Sequence, residues 1–207
     1  MKADKESRQR LLECAKKEFL EKGFAKASLR KISADAGLTT GAVYFFFQDK
    51  NGLLGAIVEE PLKKITEALK KHFYEDEHED FTTYEHVEGD HDDFAEMIIH
   101  LIYANYDAVL ILLDKSQGSQ YDGVVDDIID TVEKSCMVMV QHYADSRQGK
   151  KLNEYAVHWL SHLSVNAFTH LITHEKDETK AIGYIKPIMD FLVGGWIRLA
   201  LTDSDEK

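Results

Sequence analysis

Apolar residues return every third or fourth position through most of this chain, and that period belongs to helices. Between residues 5 and 22, Leu11, Leu12, Ala15, Phe19 and Leu20 fall on one side of a helix that Gly23 stops. Farther along, Val125, Ile128, Ile129, Val132, Cys136, Met139, Val140 and Tyr143 trace one stripe. Only 2 prolines and 12 glycines punctuate the 207 residues, too few for a β-sandwich with a turn roughly every 8–12 residues. Hydrophobic residues reach 44%, enough for a real core and too many for a disordered chain. The expected fold class is all-α.

Local signals divide the N-terminal part finely. Ser28 precedes a short helix whose buried side is Leu29, Ile32 and Ala36, and Gly37 ends it. Thr39 or Thr40 then caps a third helix over 41–47, before Gln48 and Asp49 break the chain again. A fourth helix covers 50–74, with Leu53, Leu54, Ile57, Ile65, Leu69 and Phe73 inward, and Pro61 is expected to bend or divide it.

An acidic connection follows over 75–93, with one short helix expected at 81–87. Phe94, Met97, Ile98, Leu101 and Ile102 mark the next helix, which continues or restarts at Val109 after a cap at Asn105 or Asp107. Two long helices, over 152–173 and 178–201, close the chain. Pro187 lies inside the second, four residues after Gly183, and is expected to kink it rather than break it.

The net charge is −12, but it is unevenly spread. Residues 1–71 carry 15 Lys and Arg against 10 Asp and Glu; residues 72–207 carry 10 against 27. A basic module on an acidic body is the footprint of a nucleic-acid reader. Cys14 and Cys136 form no disulfide framework, no apolar run approaches bilayer length, and the first residues lack a signal peptide. A cytoplasmic chain with no membrane partner is expected. No catalytic or phosphate-loop motif is present, so neither an enzyme nor a cofactor is expected.

Residues 28–47 carry the functional signal. Two short helices joined through Ala36-Gly37-Leu38-Thr39 fit a helix-turn-helix, with glycine permitting the reversal. Thr39, Thr40, Gly41 and Ala42 are small enough to approach base edges in a major groove. Tyr44 can hydrogen-bond a phosphate, Phe47 turns inward, and Lys50 is placed to meet the DNA backbone.

This run, with Ile32, Ala36-Gly37, Gly41, Tyr44, Phe47, Lys50 and Leu53, closely resembles the N-terminal module of the TetR family of transcriptional repressors. Ala15, Phe19 and Gly23-Phe24 upstream also fit it. The resemblance covers about the first 55 residues of the chain. It implies a homodimer reading a palindromic operator, and a C-terminal domain that holds a small-molecule effector and dimerises through its last two helices. The implied division is a DNA-binding domain over 1–50, a connecting helix over 51–74, and an effector-binding and dimerisation domain over 75–207. The DNA-binding set becomes Ser28, Arg30, Thr39, Thr40, Gly41, Ala42, Tyr44, Phe45 and Lys50. Phe46 departs from the family's usual His or Tyr, and Asn51 and Gly52 stand where acidic residues are usual.

In the body, His100, Tyr103, Tyr106, Tyr121, Trp159, Asn166 and Phe168 are candidates to line an effector cavity. Leu163, Leu171, Ile188, Leu192, Gly195 and Trp196 are candidates for the dimer interface. His158 and His162, like His170 and His174, stand four apart on one helix, a spacing that can chelate a metal. No acidic or thiolate partner lies between them in sequence, so no metal site is expected and a metal- or haem-responsive sensor is the alternative reading.

Overall fold

The computed structural model describes residues 2–77 and 90–203. The short helix expected at 81–87 lies outside the described residues. All-α is the fold class: α1 (Lys2–Lys26), α2 (Leu29–Asp35), α3 (Thr40–Phe47), α4 (Lys50–Glu77), α5 (Asp90–Tyr103), α6 (Tyr106–Leu110), α7 (Val124–Asp145), α8 (Glu154–His174) and α9 (Glu178–Leu199). Leu110 runs straight into a π-helical turn, Ile111–Lys115. The sheet is minimal and was not anticipated: β1 (Lys150–Leu152) pairs antiparallel with β2 (Leu201–Asp203).

The chain forms two compact units, Met1–Lys64 with Ala104–Val124, and Ile65–Tyr103 with Val125–Lys207. Residues 104–124, grouped by the sequence with the C-terminal domain, pack instead on α1 in the first unit.

In the first unit the α1 stripe is buried at Leu11, Ala15 and Phe19, as are Ile32, Val43, Phe47 and Leu53 on the helices that follow. Gly23 has φ +72°, which breaks the regular helix where expected. Asn105 stands at the α6 N-cap, but its side chain makes no capping bond. The π-helical turn closes on Ser116, whose Oγ donates to the Leu112 carbonyl at 2.9 Å.

The second unit has two apolar clusters. Ile129, Val132, Cys136 and Val140 of α7 pack with Val157 and Val165 of α8. Ala95 and Ile99 of α5 pack with Leu171, Ala181 and Ile185. Asn153 caps α8 by accepting from the Ala156 N–H at 3.2 Å, and Asp177 caps α9 by accepting from Lys180 at 3.0 Å. Neither proline divides its helix: α4 runs through Pro61 and α9 through Pro187.

Candidate nucleic-acid interface

The reading head is built from its caps outward. Ser28 is extended and its Oγ accepts from the Lys31 N–H at 3.3 Å, fixing the start of α2. Its own N–H donates to Glu18 Oε1 at 3.3 Å. Glu18 is buried, and its Oε2 makes an ion pair with the Lys31 ammonium at 3.3 Å without a well-directed hydrogen bond. Lys31 also reaches Asp35 at 2.6 Å; the Asp35 and then the Glu18 carboxylate push its pKa upward. This buried carboxylate escaped the sequence reading. Its signal was available, since Glu18 follows Leu11 and Ala15 along the inward side of α1.

Gly37 adopts φ +67° and reverses the chain, while Leu38 N–H donates to the Ser33 carbonyl at 2.8 Å. Thr39 takes the N-cap position of α3 without making the side-chain bond expected of a cap. Along α3, Val43 and Phe47 are buried, and the Arg8 guanidinium lies 5.1 Å over the Phe47 ring. Gly41, Tyr44 and Phe45 face outward, with Tyr44 56% and Phe45 78% exposed; Thr40 and Ala42 are half-buried. Phe45 makes an edge-on contact with Phe46 at 4.9 Å and is otherwise left to solvent. An exposed phenol and phenyl on an eight-residue helix are costly unless they meet something.

Gln48 then carries φ +69°, ψ −51° and closes a tight turn, with Asp49 N–H donating to the Phe47 carbonyl at 2.8 Å. Lys50 starts α4 at the edge of this face. Its ammonium donates to the Ala25 carbonyl at 3.3 Å and sits 4.7 Å over the Phe24 ring. Partial burial holds its pKa below the ordinary lysine value. Arg30 is exposed on α2. Asn51, unusual in its place, accepts from the Gln120 N–H at 3.0 Å. The structure therefore brings the nine DNA-binding candidates into one unit, around α2, α3 and the start of α4.

The effector candidates are not gathered in this way. Tyr106 and Tyr121 belong to the first unit, the other five to the second. Tyr121 donates to Glu59 Oε1 at 2.6 Å, and Tyr103 donates to the Glu175 carbonyl at 2.6 Å. Phe168 packs in the α5–α9 cluster, whereas Trp159 and Asn166 are exposed. His100 borders a shallow groove of about 450 Å³ with Asp93, Glu96, Met97 and Leu101, all on α5. Its Nδ1 lies 2.6 Å from Glu178.

Of the dimer candidates, Leu171 and Leu192 are buried within the chain's own core and present no outer face. Trp196 packs against the α7–α8 cluster, and Ile188 against the α5–α9 cluster. Leu163 and Gly195 are half-buried. Among the described residues, the large apolar side chains that α8 and α9 leave uncovered are Tyr155, Trp159, Tyr184, Phe191 and Leu199. The periodic stripe was read correctly as apolar, but a helix with apolar residues on two sides does not declare which side is inward.

The histidine pair on α8 acquires a partner that the sequence reading did not foresee. Glu133 of α7 places Oε2 2.8 Å from His158 Nδ1.

Comparison with known proteins agrees with this geometry. The family described as "Bacterial regulatory proteins, tetR family" matches residues 11–57. The HTH-type transcriptional regulator BetI of Yersinia pestis (strain Pestoides F) is 37% identical over 65 residues, 31% of this chain and 33% of that protein. The HTH-type transcriptional repressor BepR of Brucella suis biovar 1 (strain 1330) is 40% identical over 53 residues, 26% of this chain and 25% of that protein. These matches span about a third or less of the curated relatives' length. Over the larger fold, a transcriptional regulator of Aquifex aeolicus VF5 superposes with a TM-score of 0.59 at 21% identity, covering 90% of this chain and 99% of that one. Residues 11–57 thus form a helix-turn-helix module of the kind described for the tetR family of bacterial regulatory proteins, and the larger helical fold is shared with the Aquifex aeolicus regulator.

Proposed function

We propose that this chain is a dimeric repressor that reads a palindromic operator through α3, with its DNA affinity modulated by a small-molecule effector. The observation that carries the reading is the outward placement of Tyr44 and Phe45 on a short helix that follows the glycine turn at Gly37. Thr39, Thr40, Gly41 and Ala42 would lie nearest the bases, and Ser28, Arg30, Tyr44 and Lys50 would position the module on phosphates. BepR's description as a repressor supports that sense of regulation. Such a regulator works where the chromosome is, in the cytoplasm.

Dimerisation is supported by Tyr184 and Phe191 on α9 and Trp159 on α8, large apolar side chains that the chain does not cover itself. A β-carbon at Gly183, Gly194 or Gly195 would meet nothing within 4 Å, leaving these backbones open to close approach by a second copy. An effector would act by favouring a spacing of the two reading heads that misses half-sites about 34–36 Å apart or a multiple of that distance. It must bind the two states with different affinity to move the equilibrium.

The test is titration of fluorescent duplexes, cut from the DNA flanking its own gene, with the purified full chain at low ionic strength. Saturable binding that weakens steeply with salt is expected, because Lys and Arg displace counterions from phosphates. Absence of any preference over random duplex would overturn the reading.

A further inference from the structure

We propose that Glu133, His158 and His162 form a binding site for a divalent transition-metal ion of the zinc type, joining α7 to α8. One ligand atom from each lies within 4.8 Å of the other two, the only such group of three among the described residues. The two imidazoles stand on successive turns of α8, with ring centroids 4.6 Å apart and planes inclined by 64°. The carboxylate arrives from a different helix, so the three donors approach from two sides of a common point.

The distances suit an ion after small adjustments. Donors around a tetrahedral ion at about 2.0–2.2 Å sit roughly 3.4 Å from one another. The 2.8 Å contact between Glu133 and His158 must open a little, and the widest separation must close. Both need only side-chain rotation, since the His158 side chain is 51% exposed and that of Glu133 23%. Two nitrogens and one carboxylate favour zinc, nickel, cobalt or copper over calcium or magnesium, which take oxygen ligands. Asp126, Asp127 and Asp130 precede Glu133 on α7 and add negative charge to the same helix. Three protein ligands leave a fourth position for water or another donor.

The second histidine pair supplies the internal contrast. His170 and His174 stack at 4.1 Å with planes inclined by 26°, and His174 Nδ1 lies 2.8 Å from the His170 carbonyl. Spacing alone therefore does not make a site; the carboxylate from α7 distinguishes the first pair.

The proposal stands apart from the DNA-binding reading, because its measurement involves no DNA. Full-length protein without a polyhistidine tag, stripped with chelator, is titrated with zinc chloride by calorimetry and with cobalt chloride by visible absorption. One ion per chain with micromolar or tighter affinity is expected, with cobalt bands of a four- or five-coordinate ion. Glu133→Gln and His162→Ala should each weaken binding at least about ten-fold while far-ultraviolet dichroism stays unchanged. The double variant His170→Ala/His174→Ala should bind as the parent does. Affinity no tighter than about millimolar would overturn the proposal, as would equal binding by the parent, Glu133→Gln and His162→Ala.

Discussion

Gly52 lies so close beneath Phe47 that a β-carbon there would run into the Phe47 carbonyl oxygen, with the carbonyl carbon only 3.1 Å away. The neighbour is backbone and has no rotamer by which to yield. Asp49 reinforces the approach by accepting the Gly52 N–H at 2.8 Å. The first turn of α4 is thereby locked under the C-terminal end of α3, the helix that presents Tyr44 and Phe45. Ordinary helix propensity favours alanine over glycine by about 1 kcal/mol. Here the sign should reverse, with Gly52→Ala costing about 1–3 kcal/mol through overpacking. Chemical denaturation measures it; a stabilised variant would mean that α3 and α4 do not approach in this way.

Tyr44 and Lys50 should fail differently when removed. Tyr44 is 56% exposed, so Tyr44→Ala should change stability by no more than about 0.5 kcal/mol while weakening operator binding. Lys50 also clips the start of α4 to the Ala25 carbonyl and the Phe24 ring. Lys50→Ala should therefore lower affinity evenly across operator sequences, reduce the salt slope by about 1, and cost some stability as well. Binding isotherms at several salt concentrations, with thermal melts of the same samples, separate the two behaviours.

The N-terminal module was legible because its determinants are local. Glycines at 23 and 37 sit where φ is positive, and the inward stripe of α1 needs no knowledge of distant residues. Elsewhere the deciding relations join residues far apart in sequence. His158 meets Glu133 across 25 positions, and a pattern read along one helix does not reveal it. Leu171 and Leu192 lie on the two helices that the resemblance assigns to the interface, and their apolar stripes do not say which side is inward. Which side faces inward depends on where α5 and α7 pack, and periodicity holds no record of that. The β1–β2 pair was equally hidden. Its three-residue strands lack a β-pattern, and an ion pair at 2.7 Å, Lys150 Nζ to Asp203 Oδ1, joins their first register position.

Tyr121 gives stability an alkaline limit. Burial, and then the bond to the Glu59 carboxylate, push its phenol up to about 12 from an ordinary 10.0. In the unfolded chain the phenol ionises near its ordinary value, so the stability it contributes is complete below about pH 10. It is lost as pH rises from there toward 12, because the unfolded state sheds the proton first. Tyr121→Phe should flatten this part of the stability profile, and at neutral pH it should cost about 1 kcal/mol by leaving Glu59 without its donor. Urea midpoints from pH 8 to 11 for both proteins are the check; parallel profiles would contradict the assignment.

Adjacent residues on α9 should report on different things. Phe191 is 73% exposed, whereas Leu192 is 3% exposed in the chain's own core. Phe191→Asp places a charge on the face assigned to a second copy. It should shift sedimentation from dimer to monomer with helix content retained, since an unpaired buried charge at an interface is strongly unfavourable. Leu192→Ala should leave the assembly state unchanged while lowering unfolding free energy by about 2–5 kcal/mol, through lost burial and a cavity. Tyr184, 53% exposed and on the same face two turns earlier by i,i+7 spacing, should follow Phe191 when changed to Lys. Sedimentation velocity at several concentrations distinguishes the outcomes. A Phe191→Asp protein that remains a dimer would move the interface off this face of α9, and a monomeric parent would remove it.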